Sequence, residues 1–185
     1  MTIPDISLFT LFTIIFISSL ALSWFAGSDA PYVPTRLKNI KELLKKAGLK
    51  KGHHFYELGS GDGRVVYAAT ELGAFSTGIE QSWLRVWFSR YQAKKQNLKD
   101  IEFLHGNIFD RQYFPADCIF IFLLQPAVDK LEKKLKKELK KDCIVITQTF
   151  HFKNWKPIKK LDFTENGKIR LGEGKYGGDF WIYKA

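Results

Sequence analysis

Residues 55–64 read F-Y-E-L-G-S-G-D-G-R: a short apolar run enters a turn with glycine at every second position, and V-V-Y-A-A then opens a helix. That order restricts the chain more than any other stretch. Glycine lets the backbone turn sharply and approach a ligand within contact distance. The unpaired N–H groups of a helix start then face whatever sits there. The dinucleotide fingerprint G-x-G-x-x-G is not met, because Arg64 stands where its last glycine would fall. An acid, Glu57, sits two positions before the first glycine.

A chain of 185 residues has room for one domain with a real core and a short appendage. Its net charge of +10 favours anionic surroundings, whether nucleic acid, acidic lipid or acidic protein. Cys118 and Cys143 lie in apolar runs with no metal-ligand spacing, so buried free thiols in a reducing compartment are expected and no metal site is.

Residues 6–26 carry no charged side chain. At roughly 1.5 Å per residue such a run matches the roughly 30 Å hydrocarbon thickness of a bilayer. A cleaved signal peptide would have Lys or Arg in front and a small-x-small site behind, and a buried soluble helix would show a polar stripe. The reading adopted is an uncleaved transmembrane anchor over residues 1–29, against those two alternatives. Arg36, Lys38, Lys41, Lys45, Lys46, Lys50 and Lys51 follow it, which places the remainder in the cytoplasm by the positive-inside rule.

Residues 30–52 form a proline-punctuated connector and an amphipathic helix, with Thr35 as its cap, Leu37, Ile40, Leu43, Leu44 and Ala47 on one face, and Gly48 at its end. Over 53–185, strand and helix patterns alternate. Strands are expected at the opening run, 75–80, 101–104, 117–124 and 143–150, and helices to about Leu72, over 83–96 and over 128–141. Two strand-like pieces then flank Asn166-Gly167, and F-W-I-Y closes the pattern. This alternation predicts an α/β fold, a doubly wound Rossmann-like sheet with an antiparallel addition at its edge.

In such sheets ligands sit beyond the carboxyl ends of the strands. Glu80 ends the second strand, near the offset at which an acid meets ribose hydroxyls; the alternative is a solvated turn acid. Asn107 ends the third strand, where an amide meets an adenine edge with Ile108 or Phe109 on the ring face; a turn-forming Asn is the alternative. Glu57 is placed to hold an ammonium group, or else to act as a charge partner of the helix start.

These residues resemble a known group. E-x-G-x-G-x-G after a strand is similar to the S-adenosylmethionine loop of class I methyltransferases. A-P-Y-V-P-T after an apolar segment, G-I-E, L-E-K-K-L-K-K-E-L and F-H-F-K-N-W-K-P together resemble the membrane-anchored seven-strand protein lysine methyltransferases, which act on the ATP synthase c subunit and the adenine nucleotide translocase. The loop and connector are also similar to the non-SET histone lysine methyltransferases. The resemblance implies S-adenosylmethionine as cofactor, held by Glu57, Gly59, Ser60, Gly61, Gly63 and Glu80 with Asn107 and Ile108 near the adenine. It implies a lysine channel lined by Tyr32, Val33, Pro34, Phe150, Phe152 and Trp155. Many amino-group methyltransferases place Asn or Asp with prolines after the fourth strand. Here Leu123-Leu124-Gln125-Pro126 stands there, leaving Gln125, with Tyr32, as candidates for handling the amine. The missing N-P-P-Y-type motif argues against nucleic acid as substrate.

The expected function is methyl transfer to a lysine of a membrane-embedded protein, by an enzyme held in the membrane. The alternatives are a methyltransferase for a lipid-like small molecule and a non-catalytic domain that binds nucleic acid or lipid through its basic helix.

Overall fold

The computed structural model describes residues 3–25, 40–163, 169–171 and 179–185. Tyr32, Val33, Pro34, Thr35, Leu37 and the Asn166-Gly167 turn lie outside them. Strands β1 (His54–Leu58), β2 (Phe75–Glu80), β3 (Ile101–His105), β4 (Cys118–Ile121) and β5 (Ile144–Gln148) are mutually parallel. β8 (Phe180–Lys184) runs antiparallel to β5 and to β6 (Lys159–Phe163), and β7 (Ile169–Leu171) pairs with β6. The sheet therefore has eight strands in the order β3-β2-β1-β4-β5-β8-β6-β7, against an expected seven. The extra one is the three-residue β7, half of the hairpin expected at the edge. What separates that hairpin from β5 is β8. Phe180, Ile182 and Tyr183 are all buried, so β8 has both faces covered and belongs inside the sheet.

Helices α2 (Ile40–Ala47), α3 (Arg64–Glu71) and α4 (Trp83–Lys95) cover one face of the sheet. Helix α5 (Gln125–Glu138) covers the other. An eight-residue helix has little stability of its own, since helix nucleation is unfavourable. α2 is held by packing: Ile40, Leu43, Leu44 and Ala47 recur at i, i+3, i+4 and i+7, and all four are buried. In β4 all four residues, Cys118 to Ile121, are buried, as expected of the central strand. The apolar run behind it predicts strand to Leu124, but the ladder stops at Ile121 and the chain turns into α5. α5 begins at Gln125, three residues before the expected start. Pro126 is at home in a first turn, where its missing N–H would have had no partner.

Helix α1 (Ile3–Phe25) lies against α4. Its described apolar side chains, from Leu8 to Ile17, are all more than half exposed. The transmembrane helix expected from the sequence is corrected here: among the described residues no helix is long and apolar enough to cross a membrane.

Candidate active site

Strand order reverses between β1 and β4, and the candidate residues gather at the carboxyl ends of the strands around this switch point. After β1, the Gly59 and Ser60 N–H groups both donate to Ile79 O at 2.9 Å, which fixes the turn against β2. Gly59, Gly61 and Gly63 all have positive φ, at 82°, 53° and 81°. At Gly63 no other residue fits: an added Cβ would stand 2.6 Å from the Phe103 ring, besides the backbone strain. At Gly59 the positive φ is the main restriction, and a Cβ there would press on the end of the Leu123 side chain, with Cδ2 at 2.8 Å. The loop thus touches the segment that follows β4.

Two buried polar atoms of this loop region lack a hydrogen-bond partner, Glu57 Oε2 and Ser60 Oγ. Glu57 is 5% exposed, and its carboxyl accepts from the Val66 N–H at the start of α3. Burial raises its pKa well above the usual carboxylate value, and the neighbouring Asp62 and Glu80 charges push the same way. Such a group gains from a cation or donor arriving nearby. Orphaned buried acceptors beside a glycine turn that no side chain can fill fit a polar ligand, and they fit the cofactor that the sequence implies.

Glu80 is also buried, but its carboxylate is engaged. Oε2 accepts from the Gly61 N–H at 2.9 Å, Oε1 accepts from the Ser82 N–H at 2.8 Å, and Arg85 Nη1 stands 3.5 Å from Oε1. An ionised carboxylate offers about four acceptor positions, so one is left for a hydroxyl. Arg85, 3% exposed on α4, is a residue that the sequence reading missed. The sequence carries no signal for it, since α4 buries Arg85 and Ser89 while Trp83, Trp87 and Tyr91 are exposed. Asn107 is exposed, and its Oδ1 accepts from the Phe109 N–H at 2.9 Å, capping the short 3₁₀ turn Ile108–Asp110. The turn-forming alternative describes this contact; the amide's N–H donors are not spent on it. Ile108 and Phe109 are half-buried beside it.

On the other side of the switch point, residues 150–157 form a strap fastened to α5. Glu132, 3% exposed, accepts the Lys153 N–H at 3.0 Å and the Asn154 N–H at 2.9 Å. Lys136 Nζ donates to Asn154 O at 2.5 Å and Lys153 Nζ to Asp129 at 2.6 Å. Gln125 joins both parts, its Nε2 donating to Asp129 Oδ1 at 2.6 Å and to His151 O at 3.0 Å. The two sequence motifs L-E-K-K-L-K-K-E-L and F-H-F-K-N-W-K-P are therefore one unit. Phe152 is 2% exposed, stacked on Trp155 at 5.4 Å and packed on Tyr183 at 4.7 Å, whose hydroxyl accepts the Phe152 N–H at 3.0 Å. Phe150 and Trp155 are half-buried.

Thr149, between β5 and the strap, went unnoticed in the sequence. Its φ is 66°, rare for a β-branched residue, and the Phe150 N–H bonds back to Gln148 O at 2.8 Å. That is a three-residue γ-turn of the strained hand. It aims Phe150 away from the strand direction.

A doubly wound sheet, a three-glycine turn after β1 and an acid at the end of β2 define a class: the S-adenosylmethionine-dependent methyltransferases of class I. Within it the chain belongs to the ANTKMT methyltransferase domain family, whose signature matches residues 57–159. Residues 14–97 also match the family described as histone methylation protein DOT1. The lysine N-methyltransferase of the ATP synthase c subunit from Homo sapiens is 33% identical over 128 residues, which is 69% of this chain and 54% of the human protein. The chain thus spans about half the length of that relative. A protein-lysine N-methyltransferase from Saccharolobus islandicus is 30% identical over 142 residues, 75% of this chain and 88% of that protein. Among solved structures, an RNA methyltransferase from Salinibacter ruber in complex with S-adenosyl-L-homocysteine superposes with a TM-score of 0.71 at 28% identity, covering 82% of this chain and 93% of the other.

Proposed function

We propose that the chain methylates a lysine side chain of a protein, using S-adenosylmethionine, at a membrane surface. The observation that carries this reading is the pairing of an unsatisfied polar loop with a family-specific strap on one switch point. The names of the relatives from Homo sapiens and Saccharolobus islandicus support lysine as the acceptor.

When bound, the cofactor supplies an electrophilic methyl group on a sulfonium. Gly59, Ser60, Gly61 and Gly63 would hold it, Glu57 would take its ammonium group, Glu80 would accept from its ribose, and Asn107 and Ile108 would meet its adenine. The chain's remaining task is to present a neutral amine in line with the methyl. A free lysine has a pKa of about 10.4, so the channel must favour loss of its proton. Phe150 and Trp155 make an apolar wall that does so by desolvation. Phe152, enclosed by the core, supports that wall from behind. Both Nε2 hydrogens of Gln125 are committed, which turns its Oε1 into a fixed acceptor for the amine.

The membrane part of the proposal rests on α1, whose exposed apolar side chains suit lipid better than water.

Adding the purified protein and labelled cofactor to membranes from cells that lack it tests the reading. Label entering a protein band as methyl-lysine is expected. Label entering the organic extract instead would show a lipid-like acceptor and overturn it.

A further inference from the structure

α4 carries an unusual exposed face. Trp83, Trp87 and Tyr91, spaced four apart, are 62%, 52% and 53% exposed, and the Trp87 and Tyr91 rings stack with centroids 6.0 Å apart. Lys94 and Lys95 are exposed on the same helix, which contains no acid. Its core-facing side is filled by Val86, Ser89 and Ala93, so packing does not require the three aromatic rings.

Amphipathic rings with basic neighbours and no carboxylate suit the headgroup layer of an anionic bilayer, where ring bodies meet acyl chains and cations meet phosphates. The chain's net charge of +10 points the same way. A second copy of the chain is a poorer occupant. Three half-exposed aromatic residues offer roughly 350 Å², well short of the roughly 800 Å² per partner of a stable dimer.

We propose that the Trp83–Trp87–Tyr91 face of α4 is an interfacial membrane-docking surface that lays the domain on anionic lipid, separately from any insertion of α1. It extends the membrane reading above, and the test keeps the two apart.

The full-length chain carries Lys94→Cys labelled with the environment-sensitive dye NBD, or Lys137→Cys on the exposed side of α5 as control. Cys118 and Cys143 are buried, so the introduced thiol takes the dye. With phosphatidylcholine/phosphatidylglycerol vesicles, the dye at 94 is expected to brighten severalfold and shift to the blue, while the dye at 137 stays unchanged. Trp83→Ser combined with Trp87→Ser, both surface changes, is expected to require about tenfold more lipid for the same binding. Protein that floats with vesicles and resists alkaline carbonate, yet shows no response at 94, would overturn the docking surface and leave the α1 reading standing. A response at 94 from protein that carbonate strips off would support docking and remove the α1 reading. Brightening without lipid, rising with protein concentration alongside a doubled mass in sedimentation, would overturn the proposal in favour of a second copy.

Discussion

The two sides of the switch point are built on opposite terms. The loop over residues 59–63 stands on three glycines in the left-handed region and leaves Glu57 Oε2 and Ser60 Oγ buried without partners. The strap over residues 150–157 is bound at nearly every step, by Glu132, Asp129, Gln125, Lys136 and Tyr183. One side is unfinished until something polar arrives. The other is complete alone and serves as a fixed wall. If the proposed roles hold, ligand affinity and acceptor placement are lodged in separate parts of the chain and should respond to different substitutions.

The sharpest way to break this division is Gly61→Arg. A long side chain in the turn, at a φ of 53°, should weaken cofactor binding about a thousandfold, or ~4 kcal/mol, in calorimetric titration. Full binding by this variant would remove the loop from the site. Glu132→Ala comes next. It deletes charge-assisted bonds to the Lys153 and Asn154 N–H groups and should cost about 3 kcal/mol of stability in denaturant unfolding. Below its lowered melting point it should raise KM for the acceptor while leaving cofactor affinity within about twofold. An equal loss of both would show that the two sides are not separate.

Glu57 offers a third contrast through pH. Its folded-state pKa is raised, so the native protein binds this proton more tightly than the unfolded chain does. The associated stability is present below the ordinary glutamate value of 4.5 and is lost as pH rises from there toward the folded pKa. Glu57→Gln should flatten that decline, which for one proton is at most about 1.4 kcal/mol per pH unit, in melting curves across pH. An unchanged slope would mean that the carboxyl is not held protonated. The smallest expected effect belongs to Thr149→Gly. Glycine accepts the positive φ freely, so stability should rise by about 1 kcal/mol while turnover falls as Phe150 loses its fixed direction. A rise in both would assign the strained turn no positioning role.

The parallel core was legible because its signals are local. Alternation of apolar runs with helical periods gave the five parallel strands and the helices between them, and β2 matches its expected span of 75–80. The loop was legible because alternate glycines after a strand admit few readings. Contacts between distant residues were not. Nothing near Glu132 announces that it will cap a strap twenty residues on, and Arg85 becomes a partner of Glu80 only when α4 folds over β2. The place of β8 was missed for the same reason: its F-W-I-Y pattern shows a strand, but whether a strand is inner or edge depends on what covers its second face. Thr149 is opaque because a threonine carries no sign of a left-handed backbone.

The position of β8 also has a consequence for how the domain assembles. β5 pairs with β4 on one side, but its other edge stays open until residues 180–184 arrive and Tyr183 reaches the strap. A nascent chain can close the glycine loop against β2 early. The acceptor wall waits for the last of the described strands. An apolar strand edge, Ile144 to Gln148, is left bare through that interval, and a bare edge invites pairing with another chain. Substitutions that slow the docking of β8 should therefore betray themselves as aggregation during synthesis before they appear as any loss of cofactor binding.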